Sequence, residues 1–167
     1  MVILGIDPGT TRIGYGVIRK SPANKIEFVD AGLLKISAGN TGGDENKYER
    51  LVDAKNALQA LIKKFKPQIL AIEKIYFAKN QKTGISVAET RGVLTLTALE
   101  EGLKIEEYSP NEIKAGVAGY GFADKKAVLK MVKLILNKQK LDVVDDASDA
   151  LATAIMAAGN KRTRDAG

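Results

Sequence analysis

The chain contains no cysteine and no histidine among its 167 residues. Without cysteine there are no disulfides, no zinc–thiolate sites and no thiol nucleophile. Without histidine the usual general base and the commonest metal ligand are both missing. Any metal must then be held by oxygen, which favours Mg²⁺ or Mn²⁺. No apolar run approaches the roughly 20 residues of a membrane helix. MVILGIDPG carries no basic leader ahead of its apolar stretch, so it does not read as a signal peptide, and a cytoplasmic location is expected. There is no internal repeat and no linker-like segment. What is present is a 45% hydrophobic composition and a formal net charge of +6. The first suits one domain with a real core. The second suits a polyanionic partner.

Against this basic background four acids stand out: Asp7 in ILGIDPG, Glu73 in ILAIEK, and Asp146 with Asp149 in DDASDALA. Asp7 and Glu73 end short β-branched runs that read as buried strands, where a charge is costly unless paired or coordinated. Asp146 and Asp149 are spaced to share one helix face. Each has an ordinary explanation: Asp7 as a turn-initiating residue before Pro8-Gly9, Glu73 as the first polar residue after a strand, and the two later acids as a helix cap and first-turn acid. Taken together they read as a cage for divalent cations. Two oxygen-bound metals suit phosphodiester hydrolysis and require neither histidine nor cysteine.

The patterning predicts strands over 2–7, 13–20 and 26–36 in an antiparallel meander, then an amphipathic helix over 45–64 stopped at Lys66-Pro67. A fourth strand is expected over 69–73, a polar loop over 74–84, and a helix over 85–101 that is apolar on more than one face. A fifth strand is expected over 103–108 and a capped short helix from SPNEIKAGV. The loop GYGF leads to a helix at about 124–137 with Asp124 as N-cap, and a last helix runs from about 145 to 158. The domain is assigned to 1–157 and a basic, flexible tail to 158–167. This order implies an α/β fold with one five-stranded mixed sheet, three antiparallel strands then two parallel, flanked by helices. The 45–64 crossover can lay the fourth strand parallel beside the first, making Asp7 and Glu73 neighbours.

IDPGTTRIGYGVI, AIEKIYFAKN, ETRGV, EIK, GYGFADK and DASDALA, in that order and spacing over residues 1–157, resemble RuvC, the bacterial Holliday-junction resolvase family. The resemblance implies a ribonuclease-H-like fold and a homodimer. It implies Mg²⁺-dependent paired nicking of four-way junction DNA in recombination and repair, leaving 5′-phosphate and 3′-hydroxyl ends, with two ions per site. It makes Asp7, Glu73, Asp146 and Asp149 the catalytic metal ligands and suggests cooperation with the RuvA–RuvB branch-migration complex. Some relatives carry His where this chain has Asp146. Where the family usually has a base-stacking Phe, this chain has Tyr76, which keeps the ring face and adds a hydroxyl. Lys114 and Lys125 match family lysines near the DNA. Lys125 also stands in a helix first turn, where a cation is disfavoured by the dipole and a phosphate would explain it; the alternative is a solvated lysine on a Lys-rich face. Arg12, Lys74, Lys79, Asn80, Lys82 and Arg91 are further candidates for backbone contacts. The 85–101 helix matches the family's dimer helix.

Three competitors remain. Asp7-Pro8-Gly9-Thr10-Thr11 is similar to the first phosphate motif of actin-like sugar kinases, which need a second domain that this chain lacks. The YqgF nucleases share the fold and the first motif, without the expectation of AIEKIYFAKN and DASDALA together. A non-catalytic junction binder would not need four intact acids.

Overall fold

The computed structural model describes residues 1–9, 12–36, 47–75 and 81–160. Strands β1 (Val2–Asp7), β2 (Gly14–Lys20) and β3 (Ile26–Leu33) form the antiparallel meander. Helix α1 (Lys47–Phe65) crosses over to β4 (Ile69–Glu73), which pairs parallel with β1. Helix α2 (Gln81–Glu100) leads to β5 (Lys104–Tyr108), parallel to β4. Helices α3 (Pro110–Ala118), α4 (Lys125–Ile135) and α5 (Asp145–Gly159) follow. The sheet order is β3-β2-β1-β4-β5.

Both faces of the central strands are covered, which is why VILGI and ILAI read as continuous apolar runs. On one face Leu4, Ile6, Leu70 and Ile72 pack with Ala54, Leu58 and Ile62 of α1 and Leu94 and Ala98 of α2. On the other, Ile3, Ile69 and Ala71 share a core with Ile113, Val128, Val132, Leu151 and Ile155 of α3, α4 and α5.

Helix α5 lies unusually close to the sheet, and two glycines explain it. A Cβ at Gly5 would collide with the carbonyl oxygen of Ala150 and stand 2.9 Å from the Ala154 nitrogen. At Gly14 it would run into the Asp146 carbonyl and stand 2.9 Å from the Ala147 nitrogen. With only hydrogen at these Cα atoms, and alanines at 147, 150 and 154 of the helix, backbone meets backbone. At the other end of α5, Lys20 at the close of β2 is buried and donates its ammonium to the Ala158 carbonyl at 2.6 Å. A cation at a helix C-terminus complements the exposed carbonyls there.

Several boundaries differ from the sequence expectation. β3 ends at Leu33 rather than 36, because β2 begins at Gly14 and Leu34 N–H to Ile13 carbonyl, 2.9 Å, is the last rung available. α2 begins at Gln81, four residues before 85; QKTG offers no apolar period, so its first turn is invisible to a pattern search. α4 spans Lys125–Ile135 with Leu136 as C-cap, and Asn137 takes a left-handed φ of 50° that ends the helix before 137. β5 starts at Lys104. α5 reaches Gly159, Ala158 is buried, and Asn160 donates to the Tyr108 hydroxyl at 3.1 Å, so the fold continues past residue 157. Of the expected tail, residues 161–167 lie outside the described residues, as do residues 45–46 of the first helix.

Candidate active site

Parallel pairing carries Ile6 of β1 opposite Ile72 of β4, so the next residues, Asp7 and Glu73, emerge together at the carboxyl ends of adjacent strands. This is where open α/β sheets place their sites. The close approach at Gly14 brings the first turn of α5 to the same edge, with Asp146 and Asp149. The N-cap of α5 is Val144, which makes no side-chain cap hydrogen bond, and Asp145 and Asp146 fill the first turn. Acids there are favoured by the helix dipole by up to ~1 kcal/mol each.

The electrostatics record the crowding. Burial, followed by repulsion from Asp149 and Asp146, pushes the Asp7 carboxyl from 3.8 up to about 6, against a partial offset from Lys125. Burial, then Asp7 and Asp149, pushes Glu73 from 4.5 up to about 7, with Lys114 and Lys125 acting in the opposite sense. Repulsion that raises both groups means that the acids share one low-dielectric edge. Two cations answer the other acids: Lys125 donates to Asp149 at 3.0 Å, and Arg12 pairs with Asp146 at 2.9 Å. The Lys125 ammonium is stabilised in return by its hydrogen bond to Asp149, which raises its pKa. Both cations are more than half exposed (71% and 55% by side chain), so each pair is worth at most ~1 kcal/mol and is easily exchanged for another partner. Among the described residues no group of three or more acidic side chains is placed to hold a metal ion.

Two clefts meet at Glu73. One of about 250 Å³ is lined by Asp7, Pro8, Glu73, Lys74 and Pro110; the other, of about 220 Å³, by Glu73, Pro110, Lys114, Lys125 and Asp149. Asp7, Glu73, Asp149, Lys114 and Lys125 line these clefts, while Asp146 lines neither and is linked to the group by its repulsion of Asp7. Arg91 is engaged behind the site: its Nε donates to the Glu73 carbonyl at 3.2 Å and its terminal nitrogen pairs with Glu107. It braces the end of β4. Lys74 reaches Glu112, 4.0 Å away. Tyr76, Lys79 and Asn80 lie outside the described residues, and nothing of the Lys82 side chain is described.

The sequence suggests Arg12 and Arg91 as DNA backbone contacts and offers Pro110 no role at the cleft; the structure places Arg12 on Asp146, Arg91 on the Glu73 carbonyl and Pro110 in both clefts. Their partners are remote in the chain, so periodicity carried no signal of them. Pro110 was visible only as part of a capping pattern. That pattern is realised: the Ser109 hydroxyl accepts from Glu112 N–H and the Glu112 carboxylate from Ser109 N–H, which holds the Glu112 pKa low.

Residues 3–157 match the family described as Crossover junction endodeoxyribonuclease RuvC. The chain belongs to the RuvC family. It is 42% identical to the crossover junction endodeoxyribonuclease RuvC of Natranaerobius thermophilus over 155 residues, 93% of this chain and 92% of that protein. It is 44% identical to that of Petrotoga mobilis over 154 residues, 92% and 91% of the two chains. Among solved structures it is similar to Thermus thermophilus RuvC in complex with Holliday junction substrate, with TM-score 0.86 and 29% identity, covering 98% of this chain and 96% of that one. The expected ribonuclease-H-like sheet, three antiparallel strands followed by two parallel, is therefore the family fold. The chain is an endodeoxyribonuclease of the Holliday-junction-resolving class. RuvC membership sets aside the sugar-kinase and YqgF alternatives.

Proposed function

We propose that this RuvC protein cuts four-way DNA junctions at the edge where β1, β4 and α5 meet, using Asp7, Glu73, Asp146 and Asp149 as ligands for divalent cations. The observation that supports the reading is the emergence of Asp7 and Glu73 from adjacent strand ends beside Asp149, Lys114 and Lys125, a crowding that raises the two half-buried carboxyls to about 6 and about 7. A cation relieves that repulsion, and the donor set fits Mg²⁺ or Mn²⁺, two per site. When bound, such ions supply Lewis acidity: a more acidic water and a neutralised departing oxygen.

The protein's own groups do the rest. Asp7 and Glu73 follow a paired rung on adjacent strands, so their backbones are fixed side by side. Arg91 holds the Glu73 backbone in place. Lys125 exchanges its weak contact with Asp149 for the scissile phosphate, and Lys114 adds a second positive charge on the same cleft wall. Lys125 releases Asp149 for its role as a ligand in the same movement. Hydrolysis leaves a 5′-phosphate and a 3′-hydroxyl.

Paired nicks require two sites. Ile85, Gly92, Leu96 and Leu99 of α2 are all exposed, three of them large apolar residues at 55%, 58% and 55%. Their spacings of seven, four and three form one heptad-type seam on a single helix face. A second copy packing on that seam makes the homodimer. Gly92, with nothing near its missing Cβ, leaves room for a partner backbone.

The deciding experiment is a synthetic mobile four-way junction incubated with Mg²⁺, Mn²⁺ or EDTA. Symmetric nicks with metal, none with EDTA, and none from Glu73→Gln despite retained junction binding are expected. Nicking by Glu73→Gln at the normal rate would remove it as a ligand.

A further inference from the structure

The most exposed large apolar side chain among the described residues is Phe122, at 91%, and Tyr120 beside it is 55% exposed. Both sit on the turn between α3 and α4, and the turn is held at several points. Gly119 closes α3 in a left-handed conformation (φ 87°), its N–H donating to the Ala115 carbonyl at 2.9 Å. Gly121 lies over Asn111: a Cβ there would stand 3.4 Å from the Asn111 carbonyl oxygen. Ala123 is buried, and Asp124 caps α4 by accepting from Ala127 N–H at 2.7 Å. The backbone is anchored on both sides while the two rings face solvent. Anchoring of this kind displays the rings, since nothing in the fold's own packing needs them there.

The turn also stands next to residues of the cleft wall. Asn111 adjoins Pro110, which lines both clefts, and three residues after Phe122 comes Lys125, whose ammonium is on Asp149. Lys114 is on the same wall, in the helix that the turn follows. Aromatic faces next to lysines that point at a phosphate-cleaving site fit an unstacked base on a strand whose backbone the lysines hold.

We propose that Tyr120 and Phe122 form a stacking platform for a base of the cleaved strand next to the scissile phosphate, and so contribute to which junction sequence is cut. This rests on the reading that the cleft takes the scissile strand. The platform does not include Tyr76, which lies outside the described residues. An unpaired base that leaves its neighbours recovers stacking on the ring, and the strand is held in register over the carboxylates. Stacking of this kind is tolerant of base identity and strongest for the larger bases, so it biases choice among sequences rather than reading one outright.

The test places 2-aminopurine on either side of the cut in a four-way junction and uses Asp7→Asn as the background, so that binding is read without cleavage. Binding is expected to change the fluorescence at one of these positions. Phe122→Ala is expected to abolish that change and to weaken junction affinity about fivefold or more, with Phe122→Trp restoring both. In the otherwise native protein, Phe122→Ala should lower the cleavage rate at saturating enzyme and flatten the preference across a panel of junction sequences. Thermal unfolding unchanged in each variant confirms that the fold is intact, as two exposed rings require. Unchanged fluorescence, affinity and sequence preference in the Tyr120→Ala, Phe122→Ala double variant would overturn the platform. Should Asp7→Asn cleave normally, the carboxylate reading fails instead, and the fluorescence still decides the platform.

Discussion

Replacing Asp7 by Asn should make the metal-free protein more stable above neutral pH while destroying its activity. The Asp7 carboxyl rises from 3.8 to about 6 on folding, mainly through burial and then through Asp149 and Asp146. A raised carboxyl means that the folded state binds protons more tightly than the unfolded one, so stability falls as pH climbs from about 4 to about 6 and the penalty is complete above that. Glu73, moving from 4.5 to about 7, extends the same fall to neutrality. At 1.36 kcal/mol per pH unit, the Asp7 displacement corresponds to roughly 3 kcal/mol. Asp7 remains partly open to water, so ~1–3 kcal/mol is a sounder range after screening. For a chain of this length each kcal/mol moves Tm by about 2–4 °C, giving an expected rise of ~2–12 °C at about pH 8 in EDTA. The difference should shrink to about half near pH 5, because the unfolded carboxyl is then still ionised while the folded one is not. Added Mg²⁺ should raise the Tm of the native protein and leave the variant nearly unmoved, since only a binding-competent fold gains from ligand. The assay is thermal unfolding followed by circular dichroism across pH, with and without metal. A variant no more stable than the native protein at pH 8, or one whose advantage is as large at pH 4, would refute the account of Asp7 as a repelled, desolvated acid.

Gly5→Ala should be severely destabilising, because its methyl would enter the Ala150 carbonyl and push α5 off the sheet; a loss above ~3 kcal/mol in urea unfolding is expected, and a loss under about 1 kcal/mol would mean that α5 is free to shift. Leu96→Glu, placed on the exposed seam of α2, should shift sedimentation from dimer to monomer and suppress paired nicking; a dimer that persists would locate the interface elsewhere.

How far these features could be read beforehand depends on how local their causes are. Asp124 as N-cap and the Ser109–Glu112 capping box were legible because a cap and its partner lie within three residues. The adjacency of Asp7 and Glu73 was legible from a general rule: a helical crossover returns a strand parallel to its predecessor. The wide apolar surface of α2 was legible as a pattern, although only the structure separates buried Leu94 and Ala98 from exposed Ile85, Leu96 and Leu99. The glycine contacts under α5 were not, since Gly5 and Gly14 look like ordinary residues of a strand and its start until their neighbours more than a hundred residues away are known. Arg12 on Asp146 was hidden for the same reason, and Arg91 behind Glu73, 18 residues away, because the pair joins two different elements. Phe122 is visible in the sequence only as part of the GYGF loop, because a lone ring after Gly121 has no period; its exposure is a fact of three dimensions.

The two ends of helix α5 are both held, backbone against backbone at Gly14 and by a buried ammonium at the Ala158 carbonyl, with Gly5 against its middle. Its length therefore acts as a gauge. Adding or removing one residue between those points would turn everything upstream by about 100° and slide it by about 1.5 Å. Either the Lys20 lock would open or Asp146 and Asp149 would swing away from Asp7. Point changes along this helix can be absorbed or rejected one at a time, but its residue count sets whether Asp146 and Asp149 stand beside Asp7.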